Sequence, residues 1–296
     1  MPSTTPAFDL QSHSTQSDGA LAPAEVVAAA ARAGVELLAL SDHDTVDGVP
    51  EALDAARREG IGLVTAVELS TVHGEHEDLH LLGYGIDHTD PHLLSELERY
   101  RGDRGARAER MADALRDCGF ALDDAPLRAR EAAGKPIGRP HLAQAAFSHP
   151  ANAARIADEG LETFSDLLVA YLIPGTPAYR RRTFPTVKDA IALVHAAGGV
   201  AVWAHPFWDV EADRTALDTI DGFRALGLDG VEVFYVTHTP EQIALLADHC
   251  AAHGLLTTGS SDFHGPQHPS FNRFLAHDLQ GRTPDLGPIH THPSST

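Results

Sequence analysis

The sequence predicts an α/β fold, a parallel sheet or barrel broken by one helical insertion. Two observations predict it. Apolar runs of strand length alternate with alanine-rich helical stretches over most of the chain, the pattern of parallel βα units. Between about Pro91 and Phe184 the alternation stops, and only helical patterns and loops remain. A chain of 296 residues, 43% of them hydrophobic, can bury such a core.

The strand runs are, in order, "AFDLQS", "LLALSDHD", "GLVTAVELS", "LHLLGYGI", "GVAVWAHP", "GVEVFYV" and "LLTTGSSDFHG". The first helix, "APAEVVAAAARAG", has Pro23 near its first turn and Gly34 at its end. A second, "TVKDAIALVHAAGG", starts from a Thr186 cap, and a third, "TPEQIALLADHCAAHG", has Thr239 as cap and Pro240 as first helical residue. In the middle, "PHLLSELERYRGDRGARAERMADALRDCG" is helical in pattern and weakened at Gly102 and Gly105. The expected organisation is a discontinuous barrel at 7–90 and 185–280, an insertion at 91–184 and a tail at 281–296. The tail ends in "GPIHTHPSST", a composition that predicts disorder.

Composition narrows the function. A net charge of -20 repels polymeric nucleic acid on average. The charge is uneven, however: Arg99 to Arg182 holds 14 of the 22 basic residues and 11 of the 42 acidic ones, a net of +3 against -23 elsewhere. That segment can offer cations to a small anionic substrate, although the Arg180-Arg181-Arg182 run reads as surface. No apolar run is long enough to span a bilayer, and "MPSTTPAFDL" lacks a basic start and an apolar signal core. Cys118 and Cys250 make no disulfide framework. The expectation is a cytoplasmic protein with no membrane partner.

Chemistry-bearing side chains cluster where these strands stop. The first gives His13 and then Asp18, the second Asp42-His43-Asp44, and the third Glu68. The fourth begins with His80, the fifth gives His205 and the seventh Asp262 and His264. In parallel α/β barrels the carboxyl ends of the strands share one face, which carries the chemistry. Residues two apart on a strand point the same way, so Gln11 and His13 share a direction with Asp9 one step deeper, as do Asp262 and His264. Asp9 then supports a ligand from behind. Singly, each residue has a plain explanation: a cap, a turn at Asp18-Gly19, a packed ring. Coincidence at six strand ends is the stronger signal. His195 and His249 sit in amphipathic helices and read as structural. His238, after "VEVFYVT", is open between a structural role and a proton donor or phosphate ligand.

Taken together, "DLQSHSTQSDG", "LALSDHDTVDG", "AVELS", "HLLGYGID", "AVWAHP" and "SSDFHG" resemble the polymerase and histidinol phosphatase (PHP) family, above all its stand-alone bacterial phosphoesterases. The resemblance runs from Phe8 to about Pro269 and implies a distorted seven-stranded (βα) barrel with two or three metal ions. By that likeness Gln11 and His13 lie at one metal with Glu68 and Asp262. Glu68 bridges to a second metal held by His80 and His205, and Asp18, His43 and His264 surround a third. Asp42 stands beside Asp9 in supporting these ligands. Arg139 and His141 in "GRPH" resemble the insertion motif of the family and are expected at a substrate phosphate, where the fork of an arginine suits phosphate oxygens. Gln11 departs from the family's His-x-His. A neutral amide oxygen is a poorer donor to zinc or iron than imidazole, so a weak or absent ligand is expected there.

Mixed imidazole and carboxylate ligands suit manganese, iron or zinc. Metals held close together make hydroxide available near neutral pH and neutralise phosphate oxygens. The expected activity is metal-dependent hydrolysis of a phosphomonoester of a small nucleotide, such as a nucleoside 3',5'-bisphosphate. Metal-bound hydroxide attacks phosphorus, with His238 as a candidate proton donor. A 5'-to-3' exonuclease acting on short RNA or DNA would use the same chemistry but needs a track for further phosphates. Aromatic residues make up only 6% of the chain, which argues against a stacking track. A histidinol-phosphate phosphatase and a non-catalytic nucleotide-binding module are further alternatives. An amidohydrolase bridged by a modified lysine is disfavoured, because the only lysines, Lys135 and Lys188, fall in the insertion and at a helix start.

Overall fold

The computed structural model describes residues 7–74, 76–132, 137–210 and 212–291. Lys135 and the last five residues lie outside them. The chain divides into two compact units, Met1–Glu98 with Pro185–Thr296, and Arg99–Phe184.

The first unit is built on seven strands: β1 (Phe8–Asp9), β2 (Leu37–Leu40), β3 (Gly62–His73), β4 (His76–Tyr84), β5 (Val200–Trp203), β6 (Gly230–Tyr235) and β7 (Leu256–Ser260). They form one sheet in sequence order. Where the chain leaves β1 it meets β7 and its extension, and the sheet curls onto itself: Leu10 N donates to Gly259 O at 3.2 Å and His13 N to Phe263 O at 2.8 Å. The result is a distorted α/β barrel. Inside it pack Leu10, Ala39, Val64, Leu82, Tyr84 and Val202.

One strand departs from the parallel expectation. β4 pairs antiparallel with both β3 and β5, while the other neighbours are parallel. The connection from His73 to His76 is too short for the crossover that a parallel neighbour requires. His80 therefore lies in mid-strand rather than at a strand start, paired with Ser70.

Helices α1 (Pro23–Ala33) and α2 (Val49–Glu59) follow β1 and β2. After β4 the long α3 (Pro91–Asp117) begins and runs unbroken through Gly102 and Gly105. In the second unit, the rest of α3 is followed by α4 (Asp124–Ala132), α5 (Arg139–Phe147), α6 (Ala153–Asp158) and α7 (Phe164–Tyr171), with no strand among the described residues. Met111, Leu115, Phe120, Leu127, Leu142 and Leu167 make a core of its own. Arg107 is buried there and its Nε donates to Arg180 O at 2.7 Å. The expected surface arginines include one exception, since Arg182 is only 5% exposed.

The chain returns to the first unit with α8 (Val187–Ala196), the short α9 (Pro206–Asp209), α10 (Asp213–Ala225) and α11 (Pro240–His253). Thr186 and Thr239 cap α8 and α11, each accepting a bond from a backbone N–H three residues on, at 3.2 Å. The region expected to be a disordered tail is ordered through residue 291. Thr257 N donates to Asp285 O, a short 3₁₀ turn covers Gly287–Thr291, and Ile289 is 1% exposed against the barrel interior. Apolar side chains at Leu279, Leu286 and Ile289 supply what the Pro/Ser/Thr composition hid.

His277 lies in the same region, 4% exposed beside the Phe8 ring, with neither ring nitrogen paired among the described residues. Burial pushes its pKa down to about 4. A lowered histidine pKa means that the unfolded chain binds the proton first, so stability is complete above about 6.5 and falls as pH drops towards 4. The shift corresponds to at most roughly 3 kcal/mol. Urea unfolding of the wild type should weaken across that window, and His277→Phe should weaken by less.

Candidate metal centre

The strand-end side chains gather around Glu68. This residue sits in the middle of β3 and is completely buried. Its backbone bridges the end of β2, with Asp44 N donating to Glu68 O at 2.9 Å. Its Oε1 lies 2.7 Å from His80 Nδ1 and 3.3 Å from His205 Nε2. Its Oε2 lies 3.0 Å from His13 Nε2 and 3.7 Å from His43 Nδ1. Asp262 Oδ1 is also 3.0 Å from His13 Nε2, and 3.6 Å from His264 Nδ1. Asp18 stands 3.6 Å from each of His13, His43 and His264. The imidazoles form a row, His264–His13–His43–His80–His205, with centroid spacings of 4.2, 4.6, 4.9 and 5.2 Å.

Three overlapping donor sets result: His13, Asp18, His43 and His264; His43, Glu68 and His80; and His13, Glu68 and Asp262. His43 thus belongs to two sets, whereas His205 reaches the cluster through Glu68 Oε1. The buried atoms fit cations. His13 Nε2 lies 3.0 Å from both Glu68 Oε2 and Asp262 Oδ1, and His13 Nδ1 lies 3.6 Å from Asp18 Oδ1, all without the alignment of a hydrogen bond. Lone-pair atoms crowded in this way are relieved by a proton or a metal cation held between them. Burial alone would raise the pKa of Glu68, but His43 and His80 hold it well below the usual carboxylate range. Burial would likewise lower His13, yet Asp262 and Glu68 hold it well above its ordinary value. His43, buried among like imidazoles, is pushed down to about 4.

Gln11 points into this cluster, but both ends of its amide are occupied. Nε2 donates to Glu68 Oε2 at 2.9 Å, and Ser260 Oγ lies 3.2 Å from Oε1. The strand ends themselves are strained: Asp44, His205 and Asp262 have φ of 52°, 31° and 51°. Non-glycine residues in this region cost on the order of 1–3 kcal/mol each and persist only where the surroundings fix them.

Supporting residues supply that fixing. Asp9 Oδ1 and Oδ2 accept from Ser261 N and Leu275 N, both at 2.9 Å, and burial raises its carboxyl to about 7. Asp42 accepts from Ser14 N, Ser14 Oγ and Ser17 Oγ, each at 2.7 Å, which folds the 14–19 loop back and presents Asp18. Gly19 closes this loop, and a Cβ there would meet His13 O at 2.2 Å. Two residues of the site, Glu232 and Tyr235, are not singled out by the sequence. Glu232 is fully buried on β6 and accepts from Ser260 Oγ at 2.6 Å and His205 N at 2.9 Å, with burial raising it to about 8. Tyr235 donates to Asp262 Oδ2 at 2.8 Å. The available signal was the lone acid in the apolar run "GVEVFYV".

His238 is buried with Nδ1 2.9 Å from Val233 O, and burial lowers it to about 4. A ring neutral at pH 7 carries one proton, here on Nδ1 and given to Val233 O, so Nε2 is an acceptor and this environment works against the proton-donor role offered from sequence. Arg139 and His141 belong to the second unit. Arg139 opens α5, and His141 Nδ1 accepts from Gly138 N at 3.0 Å, so this ring caps its own helix.

Residues 9–122 match the PHP domain family. The chain is 36% identical over 285 residues to the 3',5'-nucleoside bisphosphate phosphatase of Chromobacterium violaceum, covering 95% of this chain and 93% of that protein. It is 34% identical to a 5'-3' exoribonuclease of Haemophilus influenzae, covering 88% and 91%. Among solved structures, an amidohydrolase from Chromobacterium violaceum with bound sulfate and no metal superposes with a TM-score of 0.74 at 33% identity, covering 91% of each chain. A protein from Bifidobacterium adolescentis classed as a metal-dependent phosphoesterase gives 0.72 at 30% identity, covering 97% and 96%.

Replacing the amide by imidazole tests what Gln11 does. Gln11→His should retain up to one further equivalent of metal per chain after dialysis, measured by plasma mass spectrometry. Equal, full retention of three metals by both proteins would show that Gln11 weakens nothing.

Proposed function

The chain belongs to the PHP-domain family of metal-dependent phosphoesterases, and from that premise we propose that it removes a phosphate from a small nucleotide, a nucleoside 3',5'-bisphosphate. The observation that carries the reading is the convergence of His13, His43, His80, His205 and Asp262 on Glu68, with Asp18 and His264 beside them. These residues would hold two or three divalent cations of the manganese, iron or zinc class. When bound, such cations lower the pKa of water and neutralise phosphate oxygens. The protein supplies the rest. Glu68 stays anionic, Tyr235 stays protonated because burial beside Asp262 raises its pKa, and Asp262 is oriented by the Tyr235 hydroxyl. His238 donates its Nδ1–H to Val233 O, which leaves Nε2 as an acceptor. Arg139 is assigned to a substrate phosphate, with His141 behind it, on the strength of the "GRPH" motif alone. The two unpaired cysteines agree with the reducing cytoplasm, and no described helix is long and apolar enough to cross a membrane.

The substrate class rests on the 36%-identical relative, whose name gives a nucleoside bisphosphate. Trp208 supports it. This ring is 60% exposed on α9, three residues after His205, with its centroid 6.4 Å from that imidazole and 5.8 Å from Phe271. An indole in water beside a phosphate-handling cluster provides a face for one nucleobase. The exoribonuclease relative keeps a second reading in play, attack at the 5' end of short RNA.

Phosphate release from adenosine 3',5'-bisphosphate, with manganese and with chelator, tests the proposal beside a 5'-phosphorylated short RNA and histidinol phosphate. Rapid, chelator-sensitive release from the bisphosphate alone is expected. Preference for the RNA would transfer the assignment to the second reading, and turnover of histidinol phosphate alone would overturn both. Trp208→Ala should raise KM for the bisphosphate by about 10-fold, given a stacking energy of roughly 1–3 kcal/mol, and leave hydrolysis of ribose 5-phosphate unchanged.

A further inference from the structure

Away from the Glu68 cluster, two histidines and an aspartate meet on the outer helices. His249 and His253 stand four residues apart on α11, one turn of the helix, so their rings lie on one face with centroids 4.5 Å apart. Asp221 of α10 faces both. Its Oδ1 is 3.3 Å from His249 Nε2 and 4.0 Å from His253 Nε2. One donor atom from each residue lies within 4.8 Å of the others.

We propose that Asp221, His249 and His253 form a separate site for one divalent cation of the zinc, nickel or copper class, which clamps α10 to α11. Bonds of about 2.0–2.2 Å to a tetrahedral ion place its ligand atoms about 3.3–3.5 Å apart, so small side-chain rotations complete the site. Two imidazoles and one carboxylate favour borderline cations over magnesium or calcium. Water fills the fourth position. An ion pair accounts for His249 alone, because His253 is beyond hydrogen-bond reach of the same oxygen. A shared ion would bind both imidazoles and the carboxylate at one centre. Arg224, with Nη2 3.6 Å from Asp221 Oδ1, competes for the carboxylate and sets a threshold for binding.

Position separates this site from hydrolysis. Asp221 and both histidines lie in the last halves of α10 and α11, which lead into the amino ends of β6 and β7. The Glu68 cluster gathers at the opposite, carboxyl ends. Six residues of β6 alone span roughly 20 Å. The clamp therefore acts on stability and leaves turnover alone.

The test uses metal-loaded enzyme dialysed against micromolar zinc. Wild type should carry one zinc equivalent more than His249→Ala/His253→Ala, and both proteins should hydrolyse phosphate esters at the same rate. Zinc at about 100 times its Kd should raise Tm of the wild type by roughly 5 °C more than that of the double variant. Asp221→Asn, which keeps the side-chain shape, should lose most of the extra zinc and guards against misfolding of the double variant. Equal zinc content and equal Tm shifts in all three proteins, or binding to wild type only at millimolar zinc, would overturn the proposal.

Discussion

A carboxylate with no access to water is the constraint on which this structure turns. Glu68 is buried in the centre of β3, and an isolated charge there would be untenable. Both of its oxygens are therefore shared, Oε1 between His80 and His205, and Oε2 among Gln11, His13 and His43. The partners come from the ends of β1, β2 and β5 and from the middle of β4, so satisfying one side chain fixes the relative position of most of the barrel. The left-handed backbone at Asp44, His205 and Asp262 follows from this demand, since each residue bends the chain where a strand stops.

The supporting layer obeys the same logic one shell outward. Asp9 holds the backbone at Ser261 and Leu275, Asp42 holds the serines of the 14–19 loop, and Glu232 holds His205 through its N–H. Buried acids that bind backbone or hydroxyl donors fix geometry without adding unpaired charge, and burial leaves Asp9 and Glu232 with raised pKa values. Gln11 belongs to both layers. Its amide points at the metal cluster, yet spends its donor on Glu68 and lies beside Ser260.

Much of this was legible in the sequence for physical reasons. Strand runs such as "LLALSDHD" carry a long apolar stretch that ends abruptly in acids and histidine, and in an α/β barrel that boundary is the reactive face. The direction of β4 was not legible, because "LHLLGYGI" has the same apolar period read either way. The short link to β3 decides it. Glu232 was missed because one acid in an apolar strand has no partner in the local sequence; its partners Ser260 and His205 lie 28 and 27 residues away. The packing of Ile289 was masked by the Pro, Ser and Thr around it.

The seam that closes the barrel has a consequence for how the protein comes into being. The Ser260–Gln11 contact joins residues 249 positions apart, and His13 meets Asp262 across the same seam. Contacts of such sequence separation form late, after the loop entropy between them has been overcome. On the ribosome, the residues of "DLQSHS" emerge first and must wait for "SSDFHG", with the insertion core of Met111, Leu115 and Leu142 free to consolidate in between. The reactive centre thus waits for residues 262–264, and a chain halted anywhere before residue 262 carries the ligands of its early strands without a closed barrel to hold them.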